Sequence, residues 1–399
     1  MKKYIRSERA NLFEPNVYIS MVVNLSGDLT EERIRQAVQK AYEANETTMS
    51  KIVLEDNGVA FYEKMEKSGC KFFADNLSWK ELLHRSEESP FALNEGELVR
   101  IFFTKEKNRK ILLIHAHHLV GDGQSVLILL KDIVNSLDHQ TLTYKSMISV
   151  DRKYLNKRAG LSIWMKPYIN YVNRKWKKNN RQFTWEDYHT VHRKYWNEYK
   201  SEIEWKSYDI NKIKEKCVKG VTINSYMIAE LLGEFQKSQV VGIPVSIRES
   251  DGMSNQTSAI VIKYHYDCKK SLVDNATGVH KAVSKTLKKV NKKYFILLFM
   301  ERLCPTLTDA VILQSHQCYQ NPQTKRMAEI MGYTGDGGRD LGVTNLNIIK
   351  IPKFHEKFEV RDILFVPPKI SYTRNVIGIS TYADTLTVCY HKMRHKDLI

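Results

Sequence analysis

The chain has 399 residues, 42% of them hydrophobic, which is enough apolar surface for packed cores and excludes a disordered tail-type protein. Its formal net charge of +17 favours contact with polyanions: nucleic acid, anionic membrane, the phosphates of CoA or an acidic carrier protein. It carries no finger spacing, no aromatic ribonucleoprotein motif, no apolar run of the roughly 18 residues that span a membrane, and no apolar core behind its charged N-terminus, so a nucleic-acid partner, a membrane span and a secretory signal are not expected.

The six cysteines (Cys70, Cys217, Cys268, Cys304, Cys318, Cys389) are scattered, with no CxxC pair. That usage suits reduced thiols in a cytoplasmic protein rather than a disulfide frame or a zinc site.

Val17 to Leu25 is rich in β-favouring residues and reads as a strand, broken at Gly27-Asp28-Leu29-Thr30. Thr30 or Asp28 then caps a helix whose first turn carries Glu31 and Glu32 and whose apolar positions are Ile34, Val38 and Ala41. Ile52 to Leu54 and Ala60 to Tyr62 form a hairpin around Asp56-Asn57-Gly58. Trp79 to Ser86 is a short helix. Leu98 to Phe103 and Ile111 to Ile114 make a second hairpin, closed by Lys105 to Asn108.

The second strand of that hairpin runs into His115-Ala116-His117-His118-Leu119-Val120-Gly121-Asp122-Gly123, and an apolar helical run, Gln124 to Leu137, runs out of it. The paired histidines thus sit where a buried strand ends and a turn begins, a place from which side chains project off a rigid frame. Histidine titrates near neutrality and can take a proton from an attacking hydroxyl or amine. Gly121 and Gly123 allow close approach of another segment, and Asp122 can cap the helix or form a salt bridge. A plain strand-to-helix turn with incidental histidines is the competing reading. A metal site at His115, His117 and His118 lacks an acidic or thiol partner at helpful spacing, and none is expected.

From about Asp151 the composition turns basic and aromatic. Trp164 to Trp176 reads as an amphipathic helix with Pro167 in its first turn, ending in a cluster of lysines and arginines. It is a helical connector, with a membrane-surface or nucleic-acid patch and a docking face for an acidic carrier as alternatives. His189 and His192 lie on a polar stretch and are expected to be exposed. A second half begins near Tyr208, with helices over Asp209 to Lys216 and Ser225 to Phe235, a strand over Val240 to Ile247 ending at Arg248, and a lysine-rich helix over Asn275 to Lys293 continued by apolar Tyr294 to Met300. Thr334 to Arg339 is a glycine-rich loop without the lysine of a phosphate loop. Strands follow over Leu341 to Leu346 and Val360 to Val366, and Gly378 to Tyr382 with Leu386 to Val388 close the chain as a hairpin.

The string His117-His118-x-x-x-Asp122-Gly123 resembles the HHxxxDG motif of the CoA-dependent acyltransferase superfamily, which includes chloramphenicol acetyltransferase, nonribosomal peptide condensation domains, and the related alcohol and polyketide-ester acyltransferases. Val221-Thr222-Ile223-Asn224, Arg248 with Ser254-Asn255, and Val343-Thr344-Asn345 are similar, in the right order, to later landmarks of that superfamily. Ser254 and Asn347 replace its usual glycines, and the plant-type DFGWG motif is absent.

The resemblance implies an α/β fold of two chloramphenicol acetyltransferase-like mixed-sheet halves in a V-shaped pseudo-dimer with a central tunnel. The parts would be 1–150, carrying HHxxxDG, the connector 151–207, and 208–399. It implies that His118 is a general base, that His117 and Asp122 belong to the catalytic motif, with His117 more often structural, and that Gly123 and Arg248 support the site, Arg248 by a salt bridge to Asp122. Asn255, Thr344 and Asn345 would lie near the tunnel. The implied activity is acyl transfer from an acyl-CoA or a phosphopantetheine-borne acyl thioester, supplied by CoA or an acidic carrier protein, to a small amine or alcohol, with no bound cofactor and a monomeric enzyme, in natural-product or lipid-conjugate biosynthesis. The alternatives are an inactive homologue that only binds a carrier, a basic nucleic-acid or membrane-surface binder, and a metal-dependent hydrolase.

Overall fold

The computed structural model describes residues 2–107, 109–179, 181–218, 220–333, 339–370 and 373–398. The glycine-rich stretch Thr334 to Gly338 lies outside the described residues.

The elements run β1 (Lys3–Tyr4), β2 (Tyr18–Gly27), α1 (Glu31–Glu43), β3 (Ser50–Leu54), β4 (Ala60–Lys64), β5 (Lys71–Asp75), α2 (Trp79–Glu88), β6 (Val99–Glu106), β7 (Arg109–His117) and α3 (Gly123–Leu137). They continue as α4 (Met165–Lys177), α5 (Trp185–Glu198), β8 (Tyr199–Asp209), α6 (Ile210–Lys216), α7 (Ile223–Glu234), β9 (Val240–Ser246), β10 (Thr257–Lys263), α8 (Leu272–Leu287), α9 (Val290–Arg302), α10 (Pro305–Ser315), α11 (Pro322–Met331), β11 (Arg339–Ile348), β12 (Phe358–Val366), β13 (Thr373–Tyr382) and β14 (Thr385–His395).

The local signals act as the sequence suggests. The Thr30 hydroxyl accepts the Arg33 N–H at the start of α1, and Ser78 with Glu81 forms a reciprocal capping box on α2. Besides α5, whose residues read only as a polar stretch, two helices escaped the pattern reading, α10 and α11. Each begins with proline in its first turn, where the missing N–H costs nothing.

Two mixed sheets carry the architecture. The first has five strands in the order β12-β2-β7-β6-β5, and the second six in the order β10-β9-β11-β13-β14-β8. A small sheet, β1-β4-β3, completes the N-terminal part. The expected α/β fold with mixed sheets is therefore present. The sheets exchange one strand: β12 leaves the C-terminal part and pairs antiparallel with β2, from Phe358 opposite Gly27 to Val366 opposite Ser20, before β13 returns to the second sheet.

β7 is the central strand of the first sheet, and its residues Ile111 to His117 are all buried. A strand covered on both faces reads as a continuous apolar run, which is what the approach to the histidines looks like. One face packs on α1 and α3 through Ile114, Leu129 and Ile133, and the other on α2 through Leu113 and Leu83. The second sheet has its own core against α7 and α8. The connector helices α4 and α5 join the first core through Ile169, Trp176, Tyr188 and Trp196.

His192 corrects the sequence reading. It is buried, not exposed, because α5 turns that residue inward beside Tyr18 and Trp196.

A buried ion pair fixes the N-terminal turn. Arg9 donates to both carboxylate oxygens of Asp309 on α10, at 2.7 and 2.6 Å, and both side chains are 1% exposed. Removing one partner strands a buried charge, which costs far more than the pair contributes when intact. Asp309→Ala is expected to lower the unfolding free energy by about 3–5 kcal/mol, and an Arg9→Met/Asp309→Leu double substitution by much less, both read from urea denaturation.

Candidate active site

The strand β7 ends at His117, and residues His118–Val120 form a single 3₁₀ turn before Asp122 starts α3. This short path sends the three histidines to different surroundings. His115 and His117 point to the same side of the strand, as period-two geometry requires, and both are 0% exposed. They pack against Tyr18 and Phe91. His115 Nδ1 lies 2.8 Å from the Ser20 hydroxyl. His117 Nδ1 accepts the Leu119 N–H at 3.2 Å, so the ring caps the turn. Burial is the first cause that holds His117 neutral, with a pKa lowered to about 3.

His118 leaves the strand and keeps part of its surface exposed. It lines a cavity of about 1140 Å³ together with Asp122, Gly123, Arg248, Asn255, Thr344 and Asn345. His117 is absent from that lining. His118 Nδ1 sits 3.4 Å from the Asn11 carboxamide nitrogen, and the ring also meets the residue's own backbone. Burial lowers the His118 pKa, and the Asp122 carboxylate partly opposes the shift. Among the described residues, no group of three or more His, Cys, Asp or Glu side chains is arranged to hold a metal ion.

Asp122 does not present a free carboxylate to the cavity. Its Oδ1 accepts from Arg248 Nη2 at 2.6 Å and from the Ser125 N–H at 3.0 Å. Its Oδ2 accepts from the Gln256 N–H at 3.0 Å and the Thr257 hydroxyl at 2.7 Å. Ser125 is the capped residue of α3, so one carboxylate both starts that helix and receives donors from residues 248–257. Arg248 in turn donates to the carbonyls of Gly252 at 2.8 Å and Ser254 at 3.1 Å, which folds its own loop tightly. Thr47 reaches the same loop from the N-terminal part, donating to the Met253 carbonyl at 2.6 Å.

The glycines are needed here for space. A Cβ on Gly121, whose φ is +136°, would lie 2.3 Å from Ser125 Oγ. A Cβ on Gly123 would lie 2.6 Å from Leu346 of β11. That strand borders the cavity from the C-terminal part: Gln124 donates to the Leu346 carbonyl at 3.1 Å, and Asn345 donates to Asn224 at 3.2 Å. Asn347, standing where the superfamily has glycine, adopts φ +60°, the left-handed conformation that asparagine tolerates best among side-chained residues.

The sequence reading missed Glu8, Asn11, Ser125, Gln256 and Thr257. Ser125 carried a signal, since it follows Asp122 at the spacing of a capping interaction. The others are brought in by the fold.

A family model for the Condensation domain matches residues 11–206, which include the histidine motif. Among curated proteins the chain is similar to surfactin synthase subunit 1 of Bacillus subtilis, 26% identical over 124 residues, 30% of this chain and 3% of that protein. The chain spans only 3–4% of the length of the curated relatives it matches. Among solved structures it is similar to the first condensation domain of the CDA synthetase, with TM-score 0.63, 11% identity, and coverage of 98% of this chain and 90% of that one. It is equally similar to TRI3 trichothecene 15-O-acetyltransferase from Fusarium sporotrichioides, with TM-score 0.62, 11% identity, and coverage of 99% and 91%. At these identities the likeness is one of fold. The resemblance read from the histidine motif is borne out, and the α/β fold with mixed sheets matches that of solved condensation domains.

Because Arg248 and Asp122 are both largely buried, with side chains 13% and 6% exposed, Arg248→Ala leaves an uncompensated carboxylate at the junction. It is expected to cost about 3–5 kcal/mol of stability in a denaturation experiment.

Proposed function

We propose that this protein is an acyltransferase of the condensation type, which moves an acyl group from a carrier-protein or CoA thioester to an amine or hydroxyl acceptor in natural-product or lipid-conjugate biosynthesis. The observation that carries this reading is the division of the motif. Of its two histidines, His118 alone lines the cavity, as His115 upstream does not either, while Asp122 is occupied with Arg248.

His118 is the general base. Its ring meets its own backbone and the Asn11 carboxamide, and the ring nitrogen that carries no proton is the acceptor. The acceptor's nucleophilic atom attacks the thioester carbonyl as the imidazole takes its proton. The tetrahedral intermediate collapses, the C–S bond breaks, and the same proton goes to the departing thiolate. General base assistance of this kind contributes about 10²–10⁴-fold, and alignment of two substrates in one chamber contributes further. The cavity suits such a pair. Ile243, Ile260, Leu297 and Met300 give it an apolar wall for an acyl chain, and Lys131 and Lys350 border it as partners for phosphates.

The chain's positive balance supports docking of an acidic carrier or of CoA, and no helix among the described residues is long and apolar enough to cross a membrane. The role of a cytoplasmic monomer is part of the same proposal.

His118→Ala is expected to reduce turnover by about 10²-fold or more, measured as product mass with a panel of acyl thioesters, with its thermal unfolding close to that of the parent; undiminished turnover would remove His118 from the mechanism. The base must be unprotonated, and its pKa is lowered from 6.5, so activity with a hydroxyl acceptor, which arrives without an extra proton, should hold steady from neutral pH down to about 6.5 and decline only below it. A limb centred above pH 6.5 that vanishes in His118→Ala would contradict that assignment.

A further inference from the structure

Glu8 lines the same cavity as His118 and keeps part of its surface exposed there. It precedes the turn Arg9–Asn11, which carries Asn11 to the ring of His118 and which Arg9 anchors on α10. Its Oε1 lies 3.0 Å from the Tyr62 hydroxyl, and that hydroxyl lies 2.7 Å from the Leu119 carbonyl in the histidine turn. A phenol has one proton to give. That one proton is shared between the Leu119 carbonyl and Glu8, so an ionised Glu8 has only a shared, neutral donor there. Among the described residues no cation pairs with Glu8; its charged neighbour is Asp122, which repels it. A carboxylate in that position lacks the counter-charge its burial demands.

Resting on the reading of this cavity as an acyl-transfer site, we infer that Glu8 recognises the protonated amino group of an acceptor and accepts the first of its two transferable protons. The chemistry balances in two moves. The ammonium group gives one proton to the Glu8 carboxylate, yielding a free amine and a carboxylic acid. The amine nitrogen then attacks, and its next proton goes to His118 and on to the thiolate. A single imidazole cannot hold both protons, and an α-amino group with a pKa of about 7.7–8.0 arrives mostly protonated at neutral pH. Glu8 is tuned for this exchange, since burial raises its carboxyl to about 7 with the Tyr62 contact opposing. The titratable groups facing it are Tyr62, Asp122 and, across the chamber, His118.

The test compares leucine ethyl ester with its 2-hydroxy analogue, binding each to the full chain by calorimetry at pH 7.5. The wild type is expected to prefer the amine by about tenfold or more, the effect of one charge-assisted hydrogen bond. Glu8→Gln should bring that preference to about one. Glu8→Asp, which keeps the charge, should retain part of it. At pH 5.5 the wild type should lose its preference too, because Glu8 is then protonated. An equal affinity of the wild type for both esters, or a preference that survives in Glu8→Gln, would overturn the assignment. The measurement reads binding without turnover, so its outcome is independent of whether His118 serves as the base.

Discussion

The junction of the two parts depends on one carboxylate. Asp122 accepts donors from Ser125 on its own helix and from Arg248, Gln256 and Thr257 across the interface. A carboxylate whose side chain is 6% exposed has lost its hydration, and it is tolerable because each oxygen has at least two donors, with a guanidinium among those of Oδ1. Its place at the N-terminus of α3 adds the favourable end of the helix dipole. The ion pair is a constraint of geometry before it is a source of stability. It sets where α3 begins relative to residues 248–257, and the 3₁₀ turn of His118 is continuous with that start. The imidazole's position in the cavity follows from this arrangement.

The same constraint explains why neighbouring histidines differ. On β7 the pleat sends His115 and His117 into an aromatic core with Tyr18, Phe91 and, from α5, His192. There desolvation dominates, the rings stay neutral, and His117 serves by capping the turn that follows. One residue further on, the chain stops being a strand, and His118 is no longer bound to that face. Gly121 and Gly123 make the change of direction possible without clashing with Ser125 and Leu346.

Much of this was legible in the sequence. The strand leading into the histidines, the helix leading out and the hairpin that delivers them are local features with short-range signals, and they stand where the residues put them. Arg248 was readable as the partner of Asp122 through resemblance, not through physics, since 126 residues separate the two. What escaped were the long-range placements. Nothing in the alternation of Val360 to Val366 says that it pairs with β2 rather than with its sequence neighbours. His192 looked exposed because Glu186, Asp187 and Arg193 surround it in sequence, yet the helical period turns it inward with Tyr188 and Trp196. Glu8 and Asn11 carry no motif, and only the Arg9–Asp309 anchor brings their turn to the site.

Charge is distributed with a consistent logic. At the junction, Asp122 and Arg248 are paired with each other. The groups that face the cavity, His118 and Glu8, are shifted toward their neutral forms by burial, the imidazole downward and the carboxyl upward. In the proposed reaction, groups poised near neutrality can gain or lose a proton at small cost. A strong ion pair that sets the distance between halves, beside titratable groups free to exchange protons, separates the work of holding the site from the work of changing it. On the proposed reading, that separation would let a proton move in the cavity without loosening the contact that builds it.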